Sequence, residues 1–371
     1  MKHLLGISGG KDSAALAVYM AQNYPELSIE YYTCDTGKEL KETYELIERL
    51  ESVLGKKVVK YENYKSDLST ENNAFDHFLS SYGHYLPSAQ ARWCTKKMKL
   101  EPFERNVSDE PTISYVGIRG DENREGYISK KQNIQTIFPF RRNIWSGDVI
   151  ELVFSQKYFR VFVDHFLGNT PGNEFQVCKQ VLEERLTDTY TIQLKCERIL
   201  DLDVSRFNHA VHAVLMLTDY PIGKLELYGL LDKTEVLKID DIYRILEESG
   251  VGIPAYYLPV EFEVEIDGVV KKGTYSRSRS GCFFCFYQQK IEWVWLLEQH
   301  PELFEQAKNY EKDGFAWSEE PLSELEKPDR VQFIKKDYLI RKERKNRLDS
   351  ALSWKEEILN SEGIGCSTCF I

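Results

Sequence analysis

The chain has 371 residues, 42% of them hydrophobic, and a formal net charge of −11 at pH 7. This composition is typical of a folded protein of one or two domains and excludes a disordered chain. The excess of acids argues against bulk binding of nucleic acid, because affinity for phosphate backbones depends on clustered Lys and Arg. The longest apolar runs, such as 213–217, are far too short to span a membrane.

The start of the chain and its cysteines predict a compartment. The segment 1–5 is too short to be a secretory signal before the first motif. We therefore expect a cytoplasmic protein with no membrane partner. In that compartment the eight cysteines favour metal or redox chemistry over structural disulfides.

The first predicted elements are a strand, a glycine-rich loop and a helix. A short apolar run, 4–7, leads into Ser8-Gly9-Gly10-Lys11-Asp12-Ser13, and a helix-forming segment, 14–20, follows. Two adjacent glycines allow a sharp turn and close approach to a ligand. The loop amides and the helix N-terminus then form an anion site, to which Lys11 adds a positive charge. The spacing is not that of a Walker loop, and a glycine-rich turn without function is the alternative.

Further strands and helices alternate along the next 50 residues. We predict strands at 28–33 and 58–61 and a helix at 41–54, with Tyr44, Ile47, Leu50 and Leu54 on its apolar face. This alternation predicts an α/β fold with a doubly wound, mostly parallel sheet. Ligands of such sheets bind beyond the carboxyl ends of the strands. Asp35-Thr36-Gly37 lies at such an end, so we expect it to share a crevice with the phosphate loop, although the tripeptide can also be an ordinary turn.

Several motifs together resemble one family. Ser8 to Ser13 resembles the PP-loop of ATP pyrophosphatases, which cleave ATP between the α and β phosphates. The other matching segments are Asp35-Thr36-Gly37 with Glu39 and Glu42-Thr43, Arg92-Trp93-Cys94-Thr95 with Lys99, Gly117-Ile118-Arg119-Gly120-Asp121-Glu122-Asn123-Arg124, Gly252-Ile253-Pro254 with Tyr256 and Tyr257, and Arg279-Ser280-Gly281-Cys282-Phe283-Phe284-Cys285. In this order they resemble the phosphoadenosine phosphosulfate (PAPS) reductase family. The resemblance covers 1–140 and 237–290, which we take as the adenine nucleotide alpha hydrolase-like core.

The resemblance implies roles for individual residues. ATP binding is expected at Ser8, Gly9, Gly10, Lys11, Asp12, Ser13, Asp35, Thr36 and Gly37. Catalytic roles are expected for Lys11, Asp12, Arg119, Asp121 and Arg124, and binding of a substrate phosphate for Arg92 and Lys99. Asp121 or Glu122 could hold Mg²⁺, and a solvated salt-bridge cluster is the alternative for this last segment.

Two departures from the reductases narrow the resemblance. The chain lacks the Glu-Cys-Gly-Leu-His type of ending, and Cys94 is followed by Thr95 rather than by a second cysteine. The pattern is more similar to the ATP pyrophosphatases of bacterial DNA phosphorothioation, the DndC and SspD type. This implies ATP cleavage to AMP and pyrophosphate in service of sulfur insertion, with DNA, partner proteins and a cysteine desulfurase as partners. The alternatives are a PAPS or APS reductase, an RNA-thiolating relative and a non-catalytic ATP-binding assembly subunit.

The cysteines indicate a soft-metal or sulfur site. By resemblance Cys94, Cys282 and Cys285 are three ligands of a [4Fe-4S] cluster, with Cys34, Cys366 or Cys369 as the fourth. The second Cys-x-x-Cys, at the end of the chain, also makes a zinc site conceivable, and a sulfur-carrying thiol is a third possibility. Cys178 and Cys196 are expected to be ordinary buried residues.

Two further regions complete the predicted organisation. Residues 141–236 are too long for a loop and carry apolar runs, so we expect a folded insertion. Residues 291–371 are expected to be mostly helical, with predicted helices at 288–299 and from 302 to 311. A basic stretch at 327–347 either contacts DNA or a partner or is a solvated helix face.

Overall fold

The computed structural model describes residues 1–62, 73–122, 124–312 and 314–348, with side chains described as far as Arg344. Cys366 and Cys369, two of the candidates for a fourth metal ligand, lie outside these ranges.

A five-stranded sheet, parallel throughout, forms the N-terminal part, in the order β3-β2-β1-β4-β5. The strands are β1 (Lys2–Gly6), β2 (Ile29–Thr33), β3 (Val58–Lys60), β4 (Thr112–Tyr115) and β5 (Ile134–Ile137). Leu5 of the central strand lies opposite Tyr31 on one side and Tyr115 on the other. The predicted α/β fold with a mostly parallel sheet is confirmed.

The helices of this part connect the strands and cover the sheet. They are α1 (Lys11–Asn23), α2 (Lys41–Leu54), α3 (Ala74–Ser81), α4 (Trp93–Thr95) and α5 (Glu101–Asn106), with a π-helical turn at Lys96–Leu100. Residues 11–20 of α1 are all buried, because α1 lies between the sheet, α2 and a later helix. A helix that is apolar around its whole circumference fits this central position.

Helix α2 has the predicted bounds, and most of its predicted apolar face packs against the core. Leu50 is buried, and Ile47 and Leu54 are partly buried against the same cluster. Tyr44 departs from the prediction and lines an open cleft. The reason is a polar partner that periodicity does not detect: the Tyr44 hydroxyl donates to two carboxylates beyond β2.

The segment predicted as an insertion is helical. It contains α6 (Gly147–Val153), α7 (Phe159–Gly168), α8 (Phe175–Glu183), α9 (Ile192–Leu202) and α10 (Val204–Leu215), followed by 3₁₀ turns at Pro221–Lys224 and Gly229–Asp232. Its apolar side chains belong to the same buried cluster as those of α1 and the sheet. Cys178 and Cys196 are buried in this cluster, as expected of structural cysteines.

Helix α11 (Ile239–Glu248) packs on α1 and adds its apolar side chains to the first cluster. The remaining elements surround a second apolar cluster and are the antiparallel hairpin of β6 (Val260–Ile266) and β7 (Val269–Tyr275), α12 (Lys290–Gln299), α13 (Pro301–Lys308), α14 (Leu322–Leu325) and α15 (Pro328–Leu348). The helix predicted from 288 starts at Lys290, because Gln289 and Glu292 form a capping box there. The next starts at Pro301, a favourable first residue. Apolar side chains around the cysteine loop pack into this second cluster.

The predicted division at 140, 236 and 290 stays a prediction. Among the described helices none is long and apolar enough to cross a membrane.

Candidate functional site

The site lies where the order of the strands reverses. From β1 the chain moves outward to β2 and β3, then returns to the other side of β1 as β4. In open α/β sheets the crevice beyond the carboxyl ends of strands at such a point binds ligands. The loop after β1, residues 7–10, and the segment after β4, residues 116–122, meet in this crevice.

The phosphate loop is held by its own hydroxyl groups. Ser13 Oγ accepts a hydrogen bond from the Ser8 amide at 3.1 Å and donates to the Gly10 carbonyl at 3.2 Å. Gly9 has φ +75°, and a Cβ there would lie 2.2 Å from Thr43 Cγ2, so only glycine fits. The helix was expected to begin after the loop, but α1 starts at Lys11. The first turn of a 13-residue helix therefore points at the crevice, which favours anion binding.

A buried network of charges in the segment after β4 contacts this first turn of α1. The Arg119 guanidinium, fully buried, donates from Nη1 to Asp12 Oδ1 at 2.5 Å and from Nε to Asp121 Oδ1 at 3.0 Å. It also pairs with Glu122 at 3.1 Å, and Arg124 pairs with the same carboxylate at 2.9 Å. Burial alone would raise the pKa of Asp12, but the charges of Arg119 and Lys11 outweigh it and hold the pKa at about 2. Asp12 is therefore ionised at neutral pH.

This network gives the predicted catalytic residues a structural setting. Arg119 bonds to three carboxylates, so the geometry supports a role in positioning Asp12. Asp121 also accepts a hydrogen bond from the Ile239 amide at 3.0 Å, which fixes the start of α11. Contact of Arg119, Asp121 and Arg124 with a nucleotide stays a prediction.

Lys11 is covered by a distant part of the chain. Its side chain is buried, its Nζ lies 3.2 Å from Asp12 Oδ2, and it sits 4.7 Å from the centre of the Tyr257 ring. The neighbouring Tyr256 hydroxyl donates to the Gly9 carbonyl at 2.9 Å. A Cβ on Gly10 would lie 2.6 Å from Ser280 Oγ. These contacts of Tyr256, Tyr257 and Ser280 with the loop were not predicted as site contacts, although the residues belong to the resembling segments.

The Asp-Thr-Gly segment forms a second loop at the sheet edge. Asp35 accepts hydrogen bonds from the Gly37 amide at 2.8 Å and the Tyr44 hydroxyl at 2.9 Å, and pairs with Lys60 at 2.8 Å. Burial would raise the pKa of Asp35, but the bonds from Lys60 and its other partners outweigh it and lower the pKa. The half-buried Glu39, which accepts from Thr36 Oγ1 at 2.7 Å, has its pKa raised by desolvation and by the charge of Asp35.

Ser8 of the phosphate loop and several residues of the Asp-Thr-Gly segment line one open cleft. Its wall includes Ser8, Asp35, Glu39, Tyr44, Ile47, Lys60 and Lys99. The lining combines a serine hydroxyl of the phosphate loop with carboxylates, lysines and a tyrosine. Such a mixture of polar and charged groups suits a polar ligand.

A second, smaller cavity adjoins the cleft and is lined by Cys94, Cys282 and Cys285. Apolar side chains form much of its wall: Phe75, Met98, Phe284, Phe286 and Trp317. Burial raises the pKa of the Cys94 thiol to about 12 and also raises the pKa of Cys282 and Cys285. As they stand, the three thiols are protonated at neutral pH.

The structure therefore groups the three predicted metal ligands around one space, but not as a closed ligand set. Among the described residues, no three His, Cys, Asp or Glu side chains are arranged to hold a metal ion. Cys34 lines the nucleotide cleft instead, and its thiol lies 3.6 Å from the Lys99 carbonyl. The metal assignment stays a prediction.

Two contacts join the cleft to the cysteine cavity. Thr36 Oγ1 lies 3.2 Å from Cys282 Sγ, and Glu39 forms an isolated antiparallel bridge with Cys282. Lys99, in the π-helical turn, lines both spaces, and such turns are frequent at functional sites. Arg92 precedes α4 and is not part of the described lining of either space.

The comparisons with known proteins concern the first part of the chain. Residues 2–144 match the family model described as the phosphoadenosine phosphosulfate reductase domain. The matched region holds the parallel sheet, the phosphate loop, Cys94 and the Arg119 segment.

One relative is an uncharacterized protein of Methanocaldococcus jannaschii, 30% identical over 148 residues. The alignment covers 36% of this chain and 28% of that protein, so the chain spans little more than a quarter of the relative. No solved structure matches the chain.

Proposed function

We propose that this protein is an ATP pyrophosphatase that activates a phosphate oxygen for sulfur insertion in DNA phosphorothioate modification, a bacterial defence. The observation that carries the proposal is the junction of the two spaces. The nucleotide cleft and the cysteine cavity share Lys99 and touch at the 3.2 Å contact between Thr36 and Cys282. An enzyme that activates a group with ATP and then delivers sulfur to it needs these two functions side by side.

The residues divide the binding of ATP between them. The amides of Gly9 and Gly10 and the first turn of α1 are proposed to bind the phosphates, with Lys11 adding charge. Asp35 lines the cleft as an ionised carboxylate, which makes it the best-placed partner for the ribose or for Mg²⁺. When bound, Mg²⁺ would neutralise phosphate charge.

The chemistry follows from adenylation. An acceptor phosphate oxygen attacks the α-phosphorus of ATP, the α–β bond breaks and pyrophosphate leaves. A sulfur nucleophile then attacks the acceptor phosphorus, and AMP departs with the original oxygen. Lys99 lies where the acceptor would pass from the nucleotide to the cysteines, so its charge would stabilise the negative charge that develops there.

The cysteines are proposed to handle the sulfur. Three thiols in a largely apolar cavity suit a [4Fe-4S] cluster, which they would hold as thiolate ligands of the iron. Zinc is the alternative metal. The fourth ligand would be Cys34, Cys366 or Cys369. DNA, partner proteins of a modification complex and a cysteine desulfurase are the proposed partners.

The direct test is pyrophosphate release from ATP by protein purified without oxygen, with iron and acid-labile sulfide measured on the same sample. Lys11→Ala is expected to abolish release. Lys41→Ala is the matched control, because that lysine is 86% exposed on α2. Absence of release from the wild type with DNA and Mg²⁺ present would contradict the proposal, and nucleotide that binds without turnover would identify an assembly subunit instead.

A PAPS or APS reductase is the second candidate, and the match of residues 2–144 to the reductase domain favours it. Such an enzyme would release sulfite from the sulfonucleotide in the presence of thioredoxin. Sulfite release without pyrophosphate release from ATP would select this candidate.

A further inference from the structure

A buried cation between the phosphate loop and the loop of Cys282 and Cys285 has no role in the proposed chemistry. Arg277, in the connection between β7 and α12, is fully buried. Its Nη2 donates to the Cys282 carbonyl at 3.1 Å. Within the described part of the chain, its Nε and Nη1 have no hydrogen-bond partner.

Such a placement is unfavourable for stability alone. A buried guanidinium with unmade hydrogen bonds is costly, since each unmade bond forfeits its hydration. An apolar side chain of similar size would pack against the Trp295 ring, whose centre lies 6.0 Å from the guanidinium, without that cost. Stability alone therefore does not explain a buried arginine at this position, and the explanation lies in the segments that Arg277 connects.

Arg277 lies midway along a continuous path of contacts. The Tyr256 hydroxyl donates to the Gly9 carbonyl of the phosphate loop at 2.9 Å, and the Arg277 amide donates to the Tyr256 carbonyl at 2.8 Å. The guanidinium then reaches the Cys282 carbonyl. Two residues, Tyr256 and Arg277, thus join the phosphate loop to the loop that carries two of the three cavity cysteines.

The phosphate loop has little room to move independently of this path. A Cβ on Gly10 would lie 2.6 Å from Ser280 Oγ and 3.3 Å from the Tyr257 hydroxyl oxygen, so both side chains pack closely against the loop backbone. Ser280 and Cys282 belong to the same short segment. A ligand that shifts the Gly9–Gly10 backbone must therefore shift this segment as well.

We propose that Arg277 is a positioning residue that couples nucleotide binding at the phosphate loop to the placement of the Cys282 loop. The inference rests on the proposed function in one respect, namely that an adenine nucleotide binds the loop. It adds that the nucleotide rearranges Cys282 and Cys285 through Tyr256 and Arg277. Sulfur would then be presented only when the loop is occupied.

The test is thiol labelling with N-ethylmaleimide, with rates resolved by peptide mass spectrometry, with and without saturating ATP. Nucleotide binding is measured separately by calorimetry. The full chain is used with its metal content matched between samples. Cys94 is an internal control, because it lines the same cavity but lies on α4, outside the path.

We expect ATP to change the labelling rate of Cys282 or Cys285 by about fivefold or more, as in typical allosteric coupling, and that of Cys94 by less. Tyr256→Phe removes the hydroxyl that reaches Gly9 and, at an ATP concentration that calorimetry shows to saturate the variant, is expected to lose the ATP-dependent change. Arg277→Gln should have the same effect, and Arg277→Lys should restore part of it because it keeps the charge. Arg244→Gln, at a side chain 55% exposed on α11, is the matched control.

The outcomes separate this inference from the proposed function. ATP binding with an unchanged labelling rate in the wild type would overturn the inference and leave the pyrophosphatase proposal intact. An ATP-dependent change that persists in Tyr256→Phe would also overturn it, since the path would not carry the coupling. Absence of ATP binding to the wild type would overturn both.

Discussion

Replacement of Arg119 by methionine tests whether the buried charge network supports the phosphate loop. The guanidinium is fully buried and bonds to Asp12, Asp121 and Glu122 at 2.5, 3.0 and 3.1 Å. Methionine keeps an unbranched apolar stem but leaves these carboxylates without their cation. Removal of one partner from a buried ion pair costs about 3–5 kcal/mol.

The pKa of Asp12 gives an independent magnitude. Its fall from 3.8 to about 2 corresponds to about 2 kcal/mol of stability at neutral pH, shared between Arg119 and Lys11. Because the folded pKa is the lower one, this stability is fully present above pH 4 and is lost as the pH falls towards 2. The loss of this pKa shift therefore accounts for a large part of the stability that removal of Arg119 is expected to cost.

Thermal unfolding provides the assay. At about 2.1 cal/mol/K per residue, the unfolding entropy of 371 residues is about 0.8 kcal/mol/K. Arg119→Met should therefore lower the Tm by about 4–6 °C at pH 7. In the variant, burial raises the pKa of Asp12, so the difference from wild type should shrink as the pH falls below 4.

The control is Arg244→Met, because Arg244 pairs with Asp241 and Glu248 at the surface. Exposed pairs of this kind are worth less than about 1 kcal/mol, so its Tm should change by about 1 °C. The double variant Asp12→Asn with Arg119→Met should recover part of the loss, since no buried charge is left at Asp12. A loss equal to that of Arg244→Met, or one independent of pH, would refute this account of the network.

Three further predictions concern the loops and the cysteine cavity. Gly9→Ala should weaken ATP binding by about tenfold or more and lower the Tm, because its Cβ would lie 2.2 Å from Thr43 Cγ2 at a φ of +75°; calorimetry and thermal unfolding measure both. Glu39→Gln should gain stability relative to wild type as the pH rises from 4 to 8. The pKa of Glu39 is raised in the folded protein, so ionisation of this carboxyl opposes folding above pH 4.5. The difference in Tm between the two proteins, followed against pH, measures this effect. Cys94→Ser should lower the iron or zinc content of the purified protein without changing ATP affinity, whereas Cys196→Ser, in the insertion, should leave the metal content unchanged.

Each of these three predictions has an outcome that would contradict it, and the chain also offers a control for Gly9. Gly55 also has a positive φ, but a Cβ there meets nothing within 4 Å, so Gly55→Ala should affect stability and not ATP binding. An equal loss of ATP binding in both glycine variants would contradict the steric argument. A pH-independent effect of Glu39→Gln would show that its charge does not oppose folding, and unchanged metal content in Cys94→Ser would remove that thiol from the proposed ligands.

Local patterns in the sequence were sufficient for much of the architecture. The bounds of α2 and the position of β2 were predicted closely, and so was the phosphate loop between β1 and α1. Helical periodicity and paired glycines depend on neighbouring residues along the chain. Tyr44 was wrongly placed on the apolar face of α2, because its hydroxyl bonds to carboxylates of the loop after β2.

The sequence by itself determined the α/β order of elements, the glycine-rich loop between β1 and α1, and the residue types available for chemistry. The tertiary structure alone decided which of these residues meet. Asp12 and Arg119 are 107 positions apart, and Thr36 and Cys282 are 246 apart, so no periodicity could pair them. The buried Arg277 and the cover of Tyr256 over Gly9 also depend on chain segments that return to β1 after the long helical segment. Contacts of this kind arise from the packing of whole elements, whereas the elements themselves arise from local hydrogen bonding and apolar spacing.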